Sequence, residues 1–505
     1  MPKKIWQQFD GGLGDSDKLL SDNQFYSGRD IDIYRDWGYA MPGFAVSDIT
    51  ITGQGENIID IVFDNVNSRA YLISDVAKIY AVNTATDADI GNGFGGGSQN
   101  YVSITGMVEA KGMIYYLTQD SAYRVLIPYN GTAKDIAKGV LGADWSGTNL
   151  DVDWGSTVPT GGGTLQTGRR DIIEFQGYAW ITNGRYVGRI DGTVATTTFT
   201  PLFFDLGADW TADRLFVTNN YLGIVASRNT SNFVPSAGRN QNECRIYLID
   251  GSSNTSAVKI IPLKGITQVH SVINKNGTII LFCDSGSTGH IIAVLQDNGL
   301  EEVRTLKHDI SGTLTNLLSP RSSSALAVYK NRLLFGTEGR GLIMSYGNKD
   351  IGKPFALTCP FSASIVANSL VSSLSKISND KFYLGYYNGT NYKFAKLSSG
   401  NSTNASIKFG YFDAGQKMRL NYIKVYFKPL IASDSITVGI DTDYGSSQTL
   451  GIGTGNVGYG NDGAITSKRF DKPILCHALR PTITWVNGGV EISKIIIDYS
   501  FVDDI

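Results

Sequence analysis

Short alternating runs joined by turn clusters recur along this chain from about residue 55 to about residue 400, and a fixed period of this kind constrains a fold more than any single motif does. The run IIDIVFD at Ile58–Asp64 is followed by RAYLISD at Arg69–Asp75 and KIYAVN at Lys78–Asn83, with a turn cluster between each pair. Apolar and polar residues alternate within the runs, the period-2 signature of half-buried strands. The same grammar returns at Tyr101–Pro128, at Arg170–Gly192 with DIIEFQ, YAWITNG and YVGRIDG, and at Arg214–Leu263 with RLFVTNN, YLGIVASRN, CRIYLIDG and AVKIIPL. Further copies begin at His270, Ala325 and Lys376.

Most intervals between the first residues of these units (Ile58, Tyr101, Arg170, Arg214, His270, Ala325, Lys376) are about 43 to 56 residues, the span of a four-stranded propeller blade. The one long interval contains Gly131–Gly168, whose DWSGTNLDVDWGS and TGGG stretches have the composition of an exposed insertion. The expected fold is therefore all-β, with a β-propeller of about seven blades. Its 58 glycines, 26 tyrosines and 22 phenylalanines fit pleated surface better than helix, and no long helical pattern is present.

Beyond about residue 404 the runs lengthen, in a region the size of a sandwich module. Strands are expected at Ile407–Asp413, Leu420–Phe427, Ser435–Asp441, Thr466–Phe470, Arg480–Trp485 and Glu491–Phe501, forming a C-terminal β-sandwich over 404–505. Between them, Gly445–Gly463 is too Gly-rich to pair firmly and reads as a long loop. The first 45 residues carry turn signals and aromatic residues with little periodicity, as in an extended arm or clasp. That leaves 46–403 for the propeller, with its insertion at 131–168. Propellers close when one terminus supplies a strand to the blade at the other end, and SDITITG at Ser47–Gly53 is the expected strand.

Charge and chemistry exclude more than they suggest. With 44 basic and 46 acidic residues the net charge is -2, which gives no field to draw nucleic acid. No run is long and apolar enough for a membrane span, and the start MPKKIWQQFDGG lacks the apolar core of a secretory signal, so synthesis and folding in a cytoplasm are expected. The four cysteines are spread out in strand-like runs and are expected to be free. The histidines His270, His290, His308 and His477 form no HxH or HExxH pair, so no metal ligand set is expected from them. Carboxylates two apart in TDADIGN at Thr86–Asn92, NLDVDWG at Asn149–Gly155 and DTDYG at Asp441–Gly445 lack the full calcium-loop series and read as solvated turn residues. The Gly-rich GNGFGGGSQN is followed by a strand rather than a helix, so it is a linker and no phosphate cradle. No G-x-S-x-G elbow is present, and no catalytic residue or cofactor is expected.

Aromatic residues are better candidates for contact with a protein or glycan, because flat rings stack on sugars and on partner surfaces. Trp145 and Trp154, inside the insertion, lead this set, with Trp6, Phe9 and Tyr26 in the arm and Tyr459 in the Gly-rich loop. Tyr178, Trp180, Tyr386 and Tyr387 sit on strand patterns and are expected to fill the cores between blades, whereas Tyr392 lies beside a turn.

The opening FDGGLGDSDKLLSDNQFYSGRDIDIYRDWGYAMPGF resembles the start of propeller-containing, tail-associated structural proteins of tailed bacteriophages. The ending, in which FGYFDAG leads to LNYIKVYF, SITVGID and GGVEISKIIIDYS, resembles the β-sandwich that closes such proteins. The resemblance covers about a quarter of the chain and implies a non-enzymatic part of the virion, assembled in the host cytoplasm in several copies. Expected partners are other virion proteins and further copies of the chain, with a host-surface glycan as a candidate receptor; neither nucleic acid nor a membrane is among them. The alternative from another class is a glycan-active propeller enzyme of the sialidase or glycosidase kind, or a carbohydrate-binding protein, with paired carboxylates near the propeller axis. Sialidase-type propellers repeat an Asp-box, and the nearest stretch here, CDSGSTGH at Cys283–His290, keeps that pattern poorly.

Overall fold

A computed structural model describes residues 2–7, 12–13, 24–25, 27–29, 31–32, 40–65, 68–76, 78–92, 104–118, 124–128, 136–137, 170–192, 197–228, 243–252, 256–285, 289–297, 299–305, 323–329, 332–339, 342–347, 357–362, 369–378, 380–402, 405–428, 435–443, 448–449, 467–487 and 490–502. Four-stranded antiparallel sheets follow one another along the chain. The first contains Ile58–Asp64, Arg69–Ser74, Ile79–Asn83 and Ala88–Asn92, and the second Ile104–Ala110, Met113–Thr118, Arg124–Pro128 and Ile136–Ala137. The third contains Ile172–Phe175, Tyr178–Asn183, Tyr186–Gly192 and Thr197–Asp205, and the fourth Trp210–Val217, Leu222–Arg228, Cys244–Ile249 and Lys259–Leu263. The fifth contains Ile266–Lys275, Thr278–Ser285, Gly289–Gln296 and Gly299–Thr305, and the sixth Leu326–Tyr329, Arg332–Gly336, Leu342–Gly347 and Leu357–Ser362. A last sheet takes Ser369–Lys376, Phe382–Tyr387 and Tyr392–Asn401 and is completed by Phe44–Ile49 from the other end of the chain.

The first strand of each sheet packs against the first strand of the next, and the first strand of the last sheet packs against Ile58–Asp64. The chain is thus all-β with a propeller-like arrangement, and the described residues contain no α-helix. The completing strand begins three residues before the expected Ser47, and Ile51 to Gly53 lie beyond it in the turn that follows.

A repeated turn sets the register. Between the first two strands of the second, third and fifth sheets stand Lys111-Gly112, Gln176-Gly177 and Asn276-Gly277, with φ of 52° and 79°, 55° and 78°, and 52° and 90°. Positive φ at both central residues is the type I′ hairpin, whose twist matches that of the flanking strands. Each glycine N–H is held by the side chain three residues earlier: Glu109 at 2.7 Å, Glu174 at 2.6 Å and Asn274 at 2.8 Å.

Polar side chains stitch neighbouring sheets where their first strands meet. Asp60 accepts the N–H groups of Ile61 at 2.9 Å and of Met107 in the next sheet at 3.1 Å, and burial pushes its carboxyl up to about 6. Asp171 does the same for Ile172 at 3.1 Å and Leu215 at 2.8 Å. At the closure, Ser373 donates its hydroxyl to the Ile58 carbonyl at 2.8 Å. There Asp87, on the last turn of the first sheet, accepts from Lys381 Nζ at 2.7 Å, Lys396 Nζ at 2.5 Å and Tyr383 OH at 2.5 Å, all on the last sheet.

Burial of Asp87 works against its charge, but the hydrogen bonds from Lys381, Lys396 and Tyr383 outweigh it and hold its carboxyl below the usual range. A carboxylate lowered on folding stabilises the native state above its unfolded pKa of about 4, and that contribution drains as pH falls through the lower folded value. Asp87→Asn keeps the shape and tolerates the observed φ of 57°, yet leaves two ammonium groups without their carboxylate. We expect a loss of about 2–3 kcal/mol at neutral pH. The loss should shrink as pH drops below about 4, as read by denaturant unfolding across pH.

The C-terminal region is one hydrogen-bonded sheet. Its path runs Lys3–Gln7, Ile492–Phe501, Phe412–Phe427 and Ser467–Asn487, with Ser435–Thr442 and Ser406–Lys408 on the two edges of the last of these. The strands expected at Thr466–Phe470 and Arg480–Trp485 are therefore a single strand, whose two halves pair with Phe412–Phe427 and Ser435–Thr442. One face is buried: Met418, Leu420, Ile423, Val425, Ile483, Trp485, Ile495 and Ile497 are each at most 2% exposed. Trp485 Nε1 donates to the Val490 carbonyl at 2.8 Å, satisfying the one polar atom of the ring. This core continues into the fifth and sixth sheets through Phe282, Leu333, Phe335 and Cys359.

The described parts of residues 1–45 do not stand apart as an arm. Lys3–Gln7 pairs with Lys494–Asp498, Ser27–Arg29 pairs with Ser406–Lys408, and Ala40 bridges to Ile492. Their backbone groups and their apolar side chains Trp6 and Ile31 are used inside the chain itself.

Candidate metal centre

Three side chains that are dispersed in the sequence meet on the fifth sheet. Asp284 lies directly across the ladder from His290, because the hairpin between Thr278–Ser285 and Gly289–Gln296 pairs those two positions. His270 comes from the strand on the other side, at the bulge where the register shifts between Val269 and Ser271. An extra residue of this kind bends the strand and re-aims its side chain. The bulge is pinned from behind, since buried Arg214 on the fourth sheet donates its Nε to the His270 carbonyl at 2.8 Å.

One ligand-capable atom from each of the three residues lies within 4.8 Å of the other two. His270 Nε2 is 2.9 Å from Asp284 Oδ2, and His290 Nδ1 lies against Asp284 Oδ1. The imidazole rings are 5.8 Å apart between centroids and tilted by 54°. Asp284 Oδ1 is buried and accepts no hydrogen bond. The His side chains are 11% and 12% exposed and the Asp side chain 27%, so the cluster opens to solvent on the carboxylate side.

Alternation along the strands puts Asp284 and His290 on the face of Phe282 and Ile292, which pack toward Leu333 and Phe335 of the sixth sheet. The site therefore lies at the seam between two sheets. Cys283 points the other way into the apolar cluster with Cys244, where burial pushes its thiol well above the usual range and removes it from ligand chemistry. Two imidazoles and a carboxylate are donors of the kind that bind zinc-class divalent ions.

Sequence reasoning missed this cluster because His270 and His290 share no motif and meet only through strand pairing. The signal that does exist is CDSGSTGH, a five-residue turn-forming stretch between an Asp and a His in two alternating runs, which a hairpin places face to face.

The other expected sites fare differently. Trp6, expected as a contact residue, is 2% exposed in the core, with its ring 5.8 Å from that of Phe409, so its surface is already covered by its own chain. Trp145, Trp154, Phe9, Tyr26 and Tyr459 lie outside the described residues. Trp180 and Tyr386 are buried as core residues, and Tyr392 is 36% exposed, stacked on Tyr387 at 4.6 Å. Of the acidic loops, Asp89 accepts the Thr52 N–H at 2.8 Å, Asp441 pairs with Arg480 at 3.0 Å, and Asp443 accepts the His477 N–H at 3.1 Å. Together with Asp87 these carboxylates are bound to cations or amides; Asn149–Gly155 lies outside the described residues. All four cysteines are buried and free.

No protein-family model and no curated protein matches the chain. Solved structures similar to it include Raptor of Chaetomium thermophilum, at 11% identity and a TM-score of 0.45, over 71% of this chain and 29% of Raptor. YCF48 bound to a D1 peptide is similar at 13% identity and a TM-score of 0.41, over 70% and 97% of the two chains. The computationally designed Ika8 protein is similar at 9% identity and a TM-score of 0.38, over 71% and 96%.

Proposed function

We propose that this chain is a non-enzymatic, tail-associated structural protein of a bacteriophage virion, a rigid β scaffold for assembly and host attachment. In this reading the consecutive sheets are the blades of a seven-bladed propeller, and the C-terminal sheet, buried on one face, rolls into a β-sandwich. The observation that carries the proposal is that the opening and closing stretches resembling phage tail proteins meet through the bridge between Ala40 and Ile492, while the strands flanking them, Lys3–Gln7 and Ser406–Lys408, pair with Ile492–Phe501 of the ending and Ser27–Arg29 of the opening. The two stretches thus act as one structural unit. A closed ring buries the faces of each sheet on its neighbours and leaves few open edges, which suits a part that transmits load.

The test is a cryo-electron reconstruction of intact particles from the source, searched for this ring-plus-sheet density. We expect it at the tail or the head-to-tail junction, in several copies. Absence of the chain from purified particles, by reconstruction and by mass spectrometry, overturns the reading.

A further inference from the structure

We infer that His270, Asp284 and His290 form a site for one zinc-class divalent ion, which ties three adjacent strands of the fifth sheet together at its seam with the sixth. Three facts converge. The ligand-capable atoms lie within 4.8 Å of one another. A β-bulge turns His270 toward residues on the neighbouring strand, and Arg214 holds that bulge from the fourth sheet. Asp284 Oδ1 is buried and accepts no hydrogen bond, although it faces an imidazole nitrogen.

Tetrahedral zinc with bonds of about 2.0–2.1 Å sets its ligand atoms about 3.3 Å apart, between the 2.9 Å that separates His270 Nε2 from Asp284 Oδ2 and the 4.8 Å within which all three ligand-capable atoms lie. Seating the ion parts His270 Nε2 and Asp284 Oδ2, now 2.9 Å apart, by a few tenths of an ångström. Two imidazoles and one carboxylate supply three ligands, and water takes the fourth position on the solvent side of Asp284. Calcium and magnesium prefer more oxygen donors than this cluster offers. With its donors on three different strands, the ion acts as a cross-link that the unfolded chain does not assemble, and its binding free energy adds to native stability.

The full chain would be purified, stripped with a chelator and dialysed into zinc, with bound metal measured by plasma mass spectrometry and thermal unfolding followed with and without zinc. One zinc per chain and a melting temperature raised by several degrees are expected. X-ray absorption on the loaded chain should show nitrogen and oxygen ligands only, with two imidazoles. His290→Ala should lose the bound metal and the zinc-dependent shift, whereas His477→Ala, at the exposed His477–Asp443 pair of the C-terminal sheet, should retain both. If His290→Ala fails to fold, the absorption spectrum of the loaded wild-type chain decides the same question. Substoichiometric metal with no thermal shift, a thiolate signal, or zinc retained by folded His290→Ala each overturns the proposal.

Discussion

Removing residues 1–49 should abolish cooperative folding. The truncated chain loses Phe44–Ile49, the fourth strand of the last sheet, so Tyr392–Asn401 is left as an open edge. It also loses Asp48, which accepts the Tyr386 hydroxyl at 2.8 Å and pairs with Lys393 at 3.1 Å. Tyr386 would then keep a buried phenol without its acceptor. Apolar contacts go as well, because Phe44 packs edge-on to Tyr329 at 6.2 Å, and Ile49 lies in the cluster shared by the first and last sheets. Exposed strand edges template association with other chains. We expect aggregation on gel filtration and no single thermal transition by circular dichroism. A soluble monomer melting within a few degrees of the intact chain would show that the ring does not depend on this strand.

Trp180→Ala should carry the largest cost of any single substitution in the described ring. The side chain is fully buried, its indole N–H donates to the Phe175 carbonyl at 3.1 Å, and Phe203 meets it edge-on at 4.8 Å. Arg189 lies over Phe203 at 4.4 Å and over Tyr178 at 4.5 Å, so the indole supports a layered stack rather than an isolated pocket. Truncating a buried Trp costs about 3–5 kcal/mol, and the unpartnered carbonyl adds to that. The expected result is a lower denaturant midpoint with an unchanged slope, the pattern of lost stability without altered compactness. A loss below about 1 kcal/mol would mean that the site collapses freely around the missing ring.

The ring was largely legible in the sequence because its signals are local. Each of VEAKGM, IEFQGY and INKNGT writes an acceptor side chain, two spacer residues and a turn glycine, and each folds as the same hairpin. The expected strands Thr466–Phe470 and Arg480–Trp485 belong to one longer strand, Ser467–Asn487, which also carries Pro473 and Pro481. Pro473 falls where the pairing with Phe412–Phe427 shifts register between Leu420 and Tyr422, so its missing N–H is not needed. Pro481 offers its carbonyl to the Phe409 N–H at 3.1 Å and remains within the strand. The pairings of the first 45 residues were not legible, since short ones such as Ser27–Arg29 carry too few residues to show a period. The cluster of His270, Asp284 and His290 was invisible because a bulge at His270 leaves no mark in the alternation, and proximity across strands is a property of register rather than of spacing.

The strand that completes the ring is made early and used late. Asp48 and its partner Tyr386 are 338 positions apart, which at ribosomal rates separates their synthesis by about 20–70 s. Through that interval the segment Phe44–Ile49 has no edge to join, and a nascent neighbour on the same message offers an equivalent one. Whichever edge matures first captures the segment, so exchange between copies needs no new contact surface and competes with closure throughout synthesis. Yield of the closed form then depends on translation speed and ribosome spacing as much as on the stability of the finished ring.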